Sequence, residues 1–270
     1  MKKLLLATFS LAVASSAGFA ADLPSKKSTP VAAAACSSSW AVSAREWYAF
    51  HRTDPGNPTV AVPMTGGSLS YVPSSCSGIA YTLTALYGQA PTSTRYPTDW
   101  VWNNAPATVA LGEKFSRFDV EASIQIPLVE NFAGNVGVRF VNAPVSMSGK
   151  VNGVANAAHF DIKQTFVFAE LGGVYSAKIS PELTAFAAGN LLVGNMSASA
   201  HNVFPTTFNL TLDTGGEYGF DVNAGMKYSV SNDVSVTGRY RVWGLSKGHF
   251  KGSVTNTLIH GPELSATYRF

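Results

Sequence analysis

Charge is scarce in this chain. Lys, Arg, Asp and Glu make up 13% of its 270 residues, where soluble domains carry roughly 25%, so little of the surface is built for bulk water. Net charge is scarce too. The 19 basic and 16 acidic residues give +3, and setting aside Lys2 and Lys3 leaves 17 against 16, or +1. That balance offers no electrostatic footing for nucleic acid or an acidic partner. Cysteine is limited to Cys36 and Cys76, too few for a paired C-x-x-C metal site. Long apolar runs are missing past the N-terminus. The longest stretch without Asp, Glu, Lys or Arg, Leu183 to Leu212, is broken by Gly189-Asn190, Gly194-Asn195 and Pro205, whereas a membrane helix needs about twenty apolar residues. There is no nucleophile elbow Gly-x-Ser-x-Gly and no glycine-rich phosphate loop, and no cofactor is expected.

The N-terminus is informative. Lys2-Lys3, the apolar run Leu4 to Val13 and Ala17-Gly18-Phe19-Ala20 form the basic, apolar and small-residue parts of a secretory signal cut after Ala20. Residues 21–36 read as a Ser/Pro/Ala-rich leader without apolar period. In an oxidising compartment Cys36 and Cys76 most simply form one disulfide.

From residue 37 the dominant signal is a period of two. It is clearest from Gly215 to Phe270, where Tyr218, Phe220, Val222, Ala224, Met226 and Tyr228 alternate with Gly219, Asp221, Asn223, Gly225 and Lys227. It returns with Val234, Val236, Gly238 and Tyr240, and again with Leu264, Ala266, Tyr268 and Phe270. Alternation of this kind means strands. The second face is rich in Gly, Ser, Thr and Asn with a few ions, which suits a crowded interior better than open water. The predicted fold is therefore all-β, a transmembrane antiparallel up-and-down barrel of about ten strands over residues 37–270, with about eight as the alternative. Short turns at 74–78, 127–131, 180–182 and 231–233 should alternate with external loops at 89–113, 146–158 and 201–213. Cys36 and Cys76 then fall at neighbouring strand ends. In this register Phe166 and Phe168 point inward, which suggests a bulge.

With Ala21-Asp-Leu-Pro-Ser-Lys-Lys27 after the cleavage site and the ending His260-Gly-Pro-Glu-Leu-Ser-Ala-Thr-Tyr-Arg-Phe270, the chain resembles the small outer-membrane β-barrel proteins of alphaproteobacteria, in the OmpA-type and opacity-type porin group. The resemblance implies a non-enzymatic, often surface-exposed protein of the Gram-negative outer membrane. The ending Leu264, Ala266, Tyr268, Phe270 resembles the signal by which the barrel-assembly machinery accepts such chains, so that machinery and outer-membrane lipid are the expected partners, with an external ligand of unspecified kind.

Candidate functional residues are the inward-facing ions Arg117, Asp119, Glu121, Arg139, Glu170, Asp221, Lys227, Arg239, Arg241, Glu263 and Arg269. In a narrow lumen they should pair with one another. A fully paired set closes the barrel, and a wider, wet one makes a passive pore for small solutes. A hydrolase built from loop Asp and His residues is the third alternative. His51, His159, His201, His249 and His260 are expected at strand tops or in loops without ligand spacing, and Tyr96, Trp100 and Trp102 as an aromatic belt at the outer headgroups.

Overall fold

The fold is that of a computed structural model, which describes residues 36–270 apart from 53–58, 91–92, 96–100, 103–104, 107–108, 152–153, 203–207 and 246–256. The signal segment, the leader up to residue 35, Tyr96, Trp100 and His249 lie outside the described residues. The strands are β1 (Ser39–Arg52), β2 (Val60–Val72), β3 (Ala80–Gln89), β4 (Ser93–Arg95), β5 (Val101–Trp102), β6 (Ala105–Pro106), β7 (Val109–Val129), β8 (Phe132–Asn142), β9 (Val145–Val151), β10 (Val154–Lys178), β11 (Leu183–Asn202), β12 (Phe208–Ser229), β13 (Val234–Leu245) and β14 (Thr257–Arg269).

Ten of these make a closed antiparallel wall: β1, β2, β3, β7, β8, β10, β11, β12, β13 and β14, each paired with its neighbours in sequence, with β14 returning to β1. The strand β9 continues β8 beyond Ala143-Pro144, pairing with both β7 and β10. Closure leaves the wall without an unpaired edge. The last strand seals the ring along its length, from Ala41 opposite Arg269 to Arg52 opposite Leu258, and Trp40 and Phe270 exchange backbone hydrogen bonds of 2.8 and 2.9 Å. Both ends of the barrel chain thus lie at one rim, as an even strand number requires.

The period of two sorts the side chains as expected. Val42, Leu83, Ile124, Val138, Leu171, Leu191, Val222 and Leu264 are exposed on the outer face. They are flanked by two sets of exposed aromatics: Trp40, Tyr81, Phe132, Tyr175, Tyr228 and Tyr268 towards the short-turn rim, and Tyr48, Tyr87, Phe118, Tyr218 and Tyr240 towards the other. An apolar outer wall between aromatic girdles is what lipid demands. One carboxylate interrupts it: Glu46 is exposed on the outer face, paired in register with Thr65 and Leu264.

Two of the short turns are built by serine. The Ser180 hydroxyl accepts from the Leu183 amide at 3.1 Å and that of Ser231 from the Val234 amide at 3.0 Å, replacing ladder partners where the chain reverses. The Cys36–Cys76 disulfide, with a Cα separation of 5.4 Å, ties the start of β1 to the β2–β3 turn.

The expected external loops are corrected in part. Strand pairing continues well past the outer girdle: β10 runs 25 residues and β11 runs 20, so 146–158 and 201–213 are largely hairpin extensions. Likewise β4 pairs with β7, and β5 with β6, inside the 89–113 region. The bulge suggested for Phe166 and Phe168 is absent: β10 keeps a continuous register from Phe160 to Lys178 against β11, and both rings stay inside.

Candidate functional site

The interior is layered along the barrel axis, and each layer follows from what the inward positions carry. In the middle lies an ionic cluster. The Arg139 guanidinium is 2.6 Å from Glu121, Glu170 and Asp221. Arg241 donates through Nε to Asp221 at 3.1 Å and reaches Glu121 at 3.7 Å and Glu263 at 3.8 Å. Glu263 also takes Arg45 at 2.7 Å and Arg239 at 2.6 Å. Four arginines (Arg45, Arg139, Arg239, Arg241) thus face four carboxylates (Glu121, Glu170, Asp221, Glu263), for a net charge of zero. Arg139, Glu170, Asp221 and Glu263 are all 3% exposed or less. Isolated ions could not remain charged at that burial, so mutual pairing is the condition for having them there at all.

Above the ions, towards the long hairpins, the interior turns apolar. Trp47, Met64, Leu86, Val141, Phe168, Leu192, Trp243 and Ile259 are all buried to 2% or less. Phe166 stacks with Phe168, which meets Trp243 edge-on. The layers are joined by cation–π contacts, Arg241 lying 4.9 Å over Trp47 and Arg117 4.2 Å over Trp243. Arg117 is also held by Asp119 through two hydrogen bonds of 2.7 Å. Below the ions the inward side chains are small and polar. Ser43 bonds Ser68, Ser70 and Thr82 meet at 3.0 Å, and Asn135 donates to Asn190 at 3.2 Å.

Nine of the eleven predicted lumen ions therefore enter ion pairs, Arg117 and Asp119 as a separate pair one layer up. Lys227 and Arg269 do not. Both face inward near the short-turn rim, where the neighbouring inward positions are Thr184, Thr237, Ser265 and Thr267, and among the described residues neither is ion-paired. The sequence reading missed Arg45, whose inward side is fixed by its pairing with Gly66 and Ser265. It also missed the apolar layer, whose signal was the loss of alternation at Phe166-Val-Phe168-Ala169 and Leu191-Leu-Val193.

The histidines are scattered; His51 lies at the end of β1, as expected, and His260 departs from the expected placement. His51 stacks on Phe115, with ring centroids 4.7 Å apart, and His260 sits in the wall of β14, its Nδ1 2.6 Å from the Tyr240 hydroxyl. His159 meets Asp161 at 3.1 Å on the extension of β10, where both are about two-fifths exposed. Among the described residues no group of three or more His, Cys, Asp or Glu could hold a metal. The belt expected of Tyr96 and Trp100 lies outside the described residues, and Trp102 is placed only by its backbone in β5.

A closed, ten-stranded antiparallel barrel with an apolar outer wall and a filled interior defines the class to which this fold belongs. Neither a family model nor a curated protein sequence matches the chain. Solved structures match in fold. The outer membrane protease OmpT from Escherichia coli is 12% identical, covering 86% of this chain and 96% of its own, with a TM-score of 0.55. The translocator domain of the autotransporter NalP from Neisseria meningitidis is 10% identical, covering 87% and 89%, with a TM-score of 0.50. At such identities the likeness concerns the fold alone.

Proposed function

We propose that the protein is a non-enzymatic barrel of a Gram-negative outer membrane, closed to solutes, whose long hairpins face the exterior and carry its surface interactions. The observation that supports this reading is the sealed interior: a neutral ionic layer roofed by packed aromatic side chains, with the ions at its centre 3% exposed or less. An eight-stranded barrel is just filled by side chains; in this ten-stranded one the ion pairs and the bulky Trp47, Phe168 and Trp243 occupy the interior, and a conducting path needs a continuous file of hydrated groups that the apolar layer interrupts. In this orientation the serine-built turns, the disulfide and both ends of the barrel chain lie in the periplasm, and Leu264, Ala266, Tyr268 and Phe270 present the face read by the assembly machinery. Planar-bilayer recording tests the proposal. The folded protein should give no steady single-channel steps, while Trp47→Ala combined with Trp243→Ala should produce them. Regular conductance by the unaltered protein would instead establish the passive-pore reading.

A further inference from the structure

The outer wall changes character at the start of the hairpin extensions of β7, β9, β10 and β11. The last apolar outward residues there are Phe118, Phe140, Val167 and Val193, and beside or beyond them the outward positions become Ser116, Asn142, Thr165, Asn195 and Ser197. Four residues above Val167 on β10 stands Lys163. At about 3.3 Å per residue and a tilt of about 40° this is roughly 10 Å above the apolar boundary, the level of the headgroups within reach of a bending lysine side chain.

The wall is notched at this height. Where β8 gives way to β9, Pro144 interrupts the strand and opens a cavity of about 320 Å³ on the outer surface, lined by Lys114, Lys163, Ser116, Ser146, Asp161 and Gln89 among others. Lys114 and Lys163 are both exposed and, among the described residues, neither is ion-paired. Register places them around one opening: Lys114 is opposite Ser146, which is opposite Asp161, two residues from Lys163. The single carboxylate of the notch is engaged by His159 at 3.1 Å and by the Ser146 hydroxyl. What remains is two free ammonium groups, a serine hydroxyl and a side-chain amide, a donor set for a phosphate.

We infer that the notch at Pro144 holds the phosphate of an outer-leaflet lipid headgroup, clamped between Lys114 and Lys163. Its depth argues for a lipid source, since both lysines project from the lipid-facing side of the wall just where acyl chains give way to headgroups. The inference rests on the outer-membrane reading above, whose own test, bilayer conductance, is independent of lipid identity.

The test is native mass spectrometry of the folded full barrel, reconstituted with phosphorylated lipid A or with lipid A stripped of its phosphates. The unaltered protein should retain the phosphorylated form preferentially. Lys114→Gln/Lys163→Gln should weaken retention on the order of thirty-fold, taking two lysines at the surface contribution of about fivefold each, and Lys114→Arg/Lys163→Arg should keep it. Equal retention of the two lipids by the unaltered protein overturns the inference, and that comparison decides even if the glutamine variant fails to fold. Complete displacement of the lipid by millimolar inorganic phosphate also overturns it, by showing a site for the free anion.

Discussion

Arg139→Met should be the most damaging single replacement within the ionic layer. The guanidinium is 2% exposed and, among the described residues, is the one cation paired with Glu170, while Asp221 and Glu121 retain Arg241 at distances up to 3.7 Å. Removing one member of a buried pair costs about 3–5 kcal/mol, because the abandoned charge must be protonated or hydrated. Against a total stability of roughly 5–15 kcal/mol, this lowers the folding equilibrium constant by a factor of roughly 150 to 4,000. Urea titration of the barrel in lipid vesicles, followed by tryptophan fluorescence and by gel mobility without boiling, measures it. Adding Glu170→Gln to Arg139→Met should recover a substantial part of the loss, since the orphaned carboxylate is then neutral, and the double-mutant cycle isolates that term. A loss below about 1 kcal/mol for Arg139→Met would show that these carboxylates are already hydrated, and with it the claim of a sealed interior would fail.

Other consequences are separately measurable. Glu46→Leu should stabilise the barrel in lipid, by less than the roughly 2–4 kcal/mol associated with a lipid-facing Lys or Arg at mid-depth; destabilisation in the urea titration would mean that this face meets something polar. Reducing Cys36–Cys76, which closes a loop of sequence separation 40, should cost about 3–4 kcal/mol by the chain-entropy relation, and an unchanged urea midpoint in reductant would contradict it. On the β10 extension, outside the membrane, the Ser146 hydroxyl and then the His159 ring hold the Asp161 carboxyl below its ordinary range. A depressed carboxyl contributes stability above its unfolded value, roughly pH 4, and loses it as pH falls through the lower folded value. Amide exchange around Ser146 and Asp161 should therefore be flat from about pH 7 to 5, after correction for intrinsic rates, and quicken only below about pH 4; exchange that already quickens at pH 6 would contradict the role given to the Asp161 carboxyl.

The sequence by itself determined the wall. A period of two is a local property: once Tyr218, Phe220 and Val222 share a face, Asp221 and Asn223 must share the other, and the same arithmetic carried along the chain narrows the strand number to about ten or eight and yields the short turns and the rim where Cys36 and Cys76 meet. It also identified most of the lumen ions, because an ion on the inner parity has nowhere else to point. What it left undecided depended on which strands face one another across the interior. Arg139 on β8 meets Asp221 on β12 only when the sheet closes, 82 residues apart, and the pairing of Arg45 with Glu263 spans 218. The apolar roof stayed hidden for a related reason: where both faces of a strand are greasy, as at Phe166-Val-Phe168-Ala169, alternation disappears. Only the curvature of a finished barrel tells a side chain that meets lipid from one that meets Trp243.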